Sequence, residues 1–144
     1  MSDFDHVTTA AAVSIFDSAT GVFSALLREV RELSKKKPDA TLNPSKVKVI
    51  NAVLIDLLTF LGSEPEGKYL QVLEDDALPQ VSDALMMMAQ FDAALDAFRV
   101  RYHRHVGRSS YARSKHYWIT EEQLAEWDEE DAALEAEDGD EEDT

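Results

Sequence analysis

Apolar residues recur at steps of three and four along most of this chain. Val13, Phe16, Ala19, Phe23, Leu26, Val30 and Leu33 form the first such series, and that period predicts an amphipathic helix. Asp5, Thr8 and Thr9 precede it as candidate N-caps. The helix is expected to end near Lys37, because KKKPDATLNPS, starting at Lys35, holds two prolines and reads as a loop. Asn43 followed by Pro44 predicts a second helix start, a cap residue and then a first turn. Val47, Ile50, Val53, Leu54, Leu57, Leu58 and Leu61 then spread over a wide apolar face, with Gly62 as the stop. Ser63 to Glu66 (SEPE) resembles a capping box, which predicts a short third helix through Tyr69, Leu70 and Leu73.

A fourth helix is predicted from Pro79 to Gly107. Ala84, Met88, Phe91, Leu95, Phe98 and Tyr102 alternate steps of four and three along it, an a/d seam. Val81 and Leu85 widen the seam, and Met86 and Met87 add adaptable apolar surface beside it. Such a stripe has two readings: the core of one chain, or a face for self-association or a protein partner. Thr120 to Gln123 (TEEQ) is a further capping box, predicting a short helix with Leu124, Trp127 and Leu134. Beyond Glu135 the run of acids predicts disorder.

No segment sustains a period of two, so the predicted fold class is all-α. The expected architecture is a bundle of about four helices, then a short amphipathic helix and a disordered acidic tail. The domain reading is a bundle over 1–107, a basic and aromatic connector over 108–119, and the helix and tail over 120–144. With the third helix as a corner, the fourth would run alongside the first. Lys35–Lys37, Lys46, Lys48 and the Arg99–Arg108 turn would then gather at one pole.

Charge divides the chain. The formal net charge is −15, yet all 14 Lys and Arg and 15 of the acids precede residue 119, leaving that part at −1. The other 14 acids fall between Glu121 and Asp143, among them Glu122, Asp128, Glu129, Glu130 and Asp131. Blocks of like charge stay solvated and serve as interaction tails; this one suits a basic partner, or imitates nucleic acid. The chain has no cysteine, which excludes disulfides, thiol nucleophiles and thiolate zinc sites. No continuous apolar run approaches the ~18 residues of a membrane span, and MSDFDHV is no signal segment. The expected setting is the cytoplasm, or a virion assembled from it, without membrane contact.

The tail's opposite is RVRYHRHVGRSSYARSKHYW, Arg99 to Trp118, with six Arg or Lys and three of the four histidines. Arg101, Arg104 and Arg108 are expected on one helical face, and Arg99, Arg113 and Lys115 extend the patch. Tyr111, Tyr117 and Trp118 interleave charge with stacking rings, a pattern suited to nucleic acid. The acids are expected to fold back on this stretch and mask it. Arg99 and His105, with five residues between them, resemble the R-x(4–6)-H pattern of the HEPN family of all-α ribonucleases. That resemblance implies His105 as acid or base and Arg99 as the stabiliser of phosphate charge; Gly107 stands where the family usually has Tyr. His103 and His105, two apart on a helix, would point about 200° apart. No ligand-spaced His pair, calcium loop, Gly-rich phosphate loop or nucleophile elbow is present.

The sequence therefore predicts no metal, no cofactor, no small-molecule substrate and no catalytic residue. It reads as a non-enzymatic assembly or adaptor protein acting through protein–protein contacts, with a homo-oligomer as one form. The alternatives are a nucleic-acid-binding protein regulated by its tail, and a HEPN-like ribonuclease.

Overall fold

Helices α1 (Ala10–Lys36), α2 (Pro44–Leu61), α3 (Val81–Tyr102) and α4 (Glu121–Glu142) dominate the structure. A 3-10 turn (Pro65–Tyr69) follows α2, and strands β1 (His103–Val106) and β2 (Lys115–Trp118) form a two-stranded antiparallel ribbon between α3 and α4. The structure is a computed structural model that describes residues 4–107 and 115–142, without the side chains of 138–142. The all-α class holds, with that one ribbon added. The chain divides into two compact units, Ser14–Arg99 and Met1–Val13 with Val100–Thr144.

In the Ser14–Arg99 unit, ring contacts fix the direction of the helices. Phe16 stacks on Phe98 (5.6 Å between centroids) and Phe23 meets Phe91 (6.4 Å), so α1 and α3 run antiparallel. Phe60, at the end of α2, reaches both Phe98 (4.8 Å) and Phe16 (6.5 Å). That makes α2 antiparallel to α1 and parallel to α3. At the far end, Leu42 N–H donates to Pro79 O (3.0 Å), Val81 N–H to Ala40 O (2.8 Å) and Ser82 N–H to Pro38 O (3.0 Å).

Parallel neighbours need a return connection, and residues 62–80 supply it. Asn51 of α2 holds that segment from both sides of one residue: its Nδ2 donates to Leu73 O (2.7 Å) and its Oδ1 accepts from Leu73 N–H (2.8 Å). Leu73 and Leu70 are buried, but outside any helix. Ser63 does not cap: its hydroxyl donates back to Phe60 O (3.1 Å), and the 3-10 turn opens at Glu64 without a side-chain bond. The turn is tight enough that a Cβ on Gly67 would come within 2.5 Å of Gly62 O. Asn43, by contrast, caps α2 as predicted, accepting from Lys46 N–H (2.8 Å).

Because the connection reverses the path, the pole expected from sequence does not form. Lys35–Lys37, Lys46 and Lys48 lie at the end where α3 begins. Arg99 is eighteen residues further along α3, about 27 Å away along the helix axis. The α3 stripe is core. Ala84, Met88 and Phe91 have no exposure, Phe98 1% and Leu95 5%, and Tyr102 is buried as well. The chain itself covers this seam, so it is not a free face for a second copy or a partner.

Among the described residues one helix, α1, is long and apolar enough to span a bilayer, with an 18-residue window of mean hydropathy 1.6. Ser14, Asp17, Ser18 and Thr20 interrupt its apolar runs, which hides it from a reading based on continuous runs. Its Ala12, Ala19, Phe23, Leu27 and Val30 are buried.

In the other unit, the segment before α1 meets the segment before α4. Thr8 pairs with Thr120 in a parallel bridge: Thr8 N–H donates to Ile119 O and Glu121 N–H to Thr8 O, both at 2.9 Å. Ile119 is fully buried, and its N–H donates to Tyr102 O (2.8 Å). Thr9 caps α1 through its Oγ1 and Ala12 N–H (3.1 Å). Thr120 caps α4 by accepting from Gln123 N–H (3.0 Å), as its sequence predicted.

Two expectations fail here. The helix ends at Tyr102, not Gly107, because HRHV pairs with KHYW, in which Val106, Tyr117 and Trp118 favour strands. The acidic segment is helical to Glu142 rather than disordered past Glu135; Ala, Leu and Glu are strong helix formers and outweigh the charge repulsion locally.

Candidate functional site

The hairpin assembles a site that the helical reading pulled apart. In an antiparallel pair, directly opposed residues share a face. The register sets His103 opposite Trp118 and His105 opposite His116, so three imidazoles and an indole occupy one face. Their centroids lie 4.9 Å (His103–Trp118), 5.3 Å (His105–His116) and 5.6 Å (His103–His116, nearly parallel at 22°) apart. His105 and His116 are exposed, while His103 and Trp118 are half-buried. The reverse face carries Arg104 opposite Tyr117 and Val106 opposite Lys115.

Helix α4 packs behind the hairpin. Tyr117 meets Trp127 edge-on (5.2 Å), and Phe4 closes on the same indole (6.3 Å). Glu122 reaches back to the start of α1, where its Oε2 accepts from Ala10 N–H (2.8 Å). With Glu121 it also sits in the first turn of α4, where negative charge suits the helix dipole. Asp128, Glu129, Glu130 and Asp131 are exposed further along α4. The acidic segment starts as a capped, anchored helix; the expected fold-back onto Arg99–Lys115 falls in part on residues 108–114, outside the described residues.

Among the described residues, the members of the basic patch are divided between α3 and the ribbon. Arg99 pairs with Asp96 on α3 (2.6 Å), and the Arg101 guanidinium lies over the Tyr102 ring (5.9 Å). Arg104 and Lys115 are on the strands and exposed; Arg108 and Arg113 lie outside the described residues. Since Arg104 is on β1, it shares no helical face with Arg101. For the ribonuclease pair, Arg99 is bound to its own helix and His105 faces His116 across the ribbon. Among the described residues, no group of three or more histidines and carboxylates is placed to hold a metal ion.

One further feature escaped the sequence reading. Leu26, Val30, Leu33, Val49 and Ile50 line an apolar groove of about 370 Å³ between α1 and α2, with Glu29 and Lys46 at its edge. The ring face had a legible signal: His103/His105 and His116/Trp118 are i, i+2 pairs, which share a face in a strand and separate on a helix. The chain matches no family model, no curated protein and no solved structure. Function must therefore be argued from the surfaces themselves.

Proposed function

We infer that this is a non-enzymatic adaptor that engages a basic protein partner through α4. The observation that supports this is the form of the acidic segment. It is a 22-residue helix without a basic residue, and residues 128–137 are exposed on every side. Its root is fixed by the Thr120 cap, by buried Trp127 and by the Glu122–Ala10 bond. A rooted rod of like charges holds its carboxylates in a defined array instead of a diffuse cloud. That array also carries a cost, because acids close to a helix C-terminus oppose the dipole and repel each other at i, i+4. A partner supplying Lys and Arg relieves both terms at Glu129, Glu135 and Glu137. Leu134, 60% exposed among the acids, offers such a partner an apolar contact. With the α3 stripe buried, the reading does not depend on self-association.

The test compares affinity capture by the intact protein, by a chain ending at Trp127, and by a chain whose residues 128–144 are scrambled. A partner held by the intact chain, lost on truncation and weakened by scrambling supports a helix-specific contact. A partner retained equally by the truncated chain refutes α4 as the docking element.

A further inference from the structure

We propose that the ring face of the hairpin is a stacking platform for single-stranded nucleic acid. His103, Trp118, His105 and His116 form a contiguous cluster of rings with centroid distances of 4.9, 5.3 and 5.6 Å and interplanar angles of 49°, 70° and 22°, in which the exposed His105 and His116 are open to a stacking base. These spacings are those of interacting aromatic pairs, so each ring is held by its neighbour. A four-residue strand spans about 10 Å, room for two or three bases at the ~3.4 Å spacing of stacked nucleotides. Base faces are accessible in a single strand and hidden in a duplex, which sets the class of ligand.

The ribbon does not oppose this occupant. The strands HRHV and KHYW contain no carboxylate, and their cations Arg104 and Lys115 are on the reverse face with Tyr117, so a strand laid on the rings meets no acid of the ribbon and is held there by stacking. The acids of α4 lie on the other side: Tyr117, which contacts Trp127, belongs to the face opposite the rings. Exposure completes the argument, since His105 and His116 face solvent and are not consumed by the core. A basic protein partner, the occupant inferred for α4, would find no counter-charge here.

The experiment measures fluorescence anisotropy of a labelled single-stranded oligonucleotide of about 12 nucleotides, within the usual site size, against the full chain. A duplex of the same sequence serves as competitor. Two double variants are compared, His105→Ala with His116→Ala, and His105→Phe with His116→Phe. Both positions are exposed, so both variants should keep the wild-type circular dichroism. Loss of two stacking partners predicts at least a tenfold weaker complex for the alanine pair. The phenylalanine pair should stay within about threefold of wild type, because it preserves the π-faces. Emission from Trp118, isolated by Trp127→Phe, should be quenched as the strand binds.

The proposal is overturned by any of four results: no single-strand binding, equal affinity for duplex, an alanine pair as tight as wild type, or a phenylalanine pair as weak as alanine. The last would mean that the imidazoles act by hydrogen bond or charge rather than by stacking.

Discussion

Replacing Phe98 by Ala tests whether the α3 stripe is core or interface. Phe98 is 1% exposed and is gripped from two helices, by Phe16 at 5.6 Å and an interplanar angle of 25°, and by Phe60 at 4.8 Å and 63°. Truncation removes both contacts and leaves Phe16 and Phe60 facing each other at 6.5 Å across a void. A buried Phe→Ala change costs about 3–5 kcal/mol. The upper half of that range applies, because the ring sits between three helices that cannot all close on the gap. Domains of this kind have roughly 5–15 kcal/mol in total, so the variant should lose about a quarter of its stability or more. At about 2–4 °C per kcal/mol for a chain near this size, Tm should fall by about 10–15 °C. Urea unfolding followed by far-UV circular dichroism reads the loss directly. Val100→Ala, at a residue 66% exposed on the same helix, should change the midpoint by no more than about 0.5 kcal/mol. If Phe98→Ala unfolds at the wild-type midpoint while light scattering shows a smaller particle, the stripe belongs to an interface between chains and the core assignment is wrong.

Two further substitutions probe the joints of the fold. Asn51→Ala removes both bonds to the Leu73 backbone and leaves a part-buried N–H and C=O without partners; stability should drop by about 1–3 kcal/mol, and hydrogen exchange at the Leu73 amide should accelerate more than at α1 amides. Thr120→Ala deletes the α4 cap at a cost of about 1 kcal/mol, visible as lost helical dichroism; unchanged helicity would show that the Thr8–Thr120 pairing alone starts α4.

The parts of the fold legible in the sequence share one property: their signal is local. Asn43–Pro44 and Thr120–Gln123 announce helix starts by chemistry complete within four residues, and both caps are in place. SEPE carries the same local letters, yet Ser63 turns its hydroxyl to Phe60 O because the chain leaves α2 in a tight 3-10 turn. The 84-88-91-95-98-102 stripe announces an apolar face but cannot say what covers it. The answer lies in Phe16, Phe23 and Phe60, tens of residues away. The hairpin was hidden for a related reason. Its strands are four residues long with polar rings on both faces, so no apolar alternation marks them. The ring face, the best-formed feature of the candidate site, became visible once the register was known.

The division of labour between the two units follows from where the reactive side chains fall. All four histidines and both tryptophans belong to the Met1–Val13 with Val100–Thr144 unit, and the Ser14–Arg99 unit has none. Both inferred surfaces therefore belong to one unit, back to back across the Tyr117–Trp127 contact at 5.2 Å. A basic protein on α4 would neutralise the field behind the ring face and raise its affinity for phosphate. Linkage then requires the converse: a strand bound on the rings must tighten the grip of α4 on its basic partner by the same factor. If both inferences hold, the acidic helix is a brake released by the partner it recruits, and the coupling should fade as added salt screens both faces.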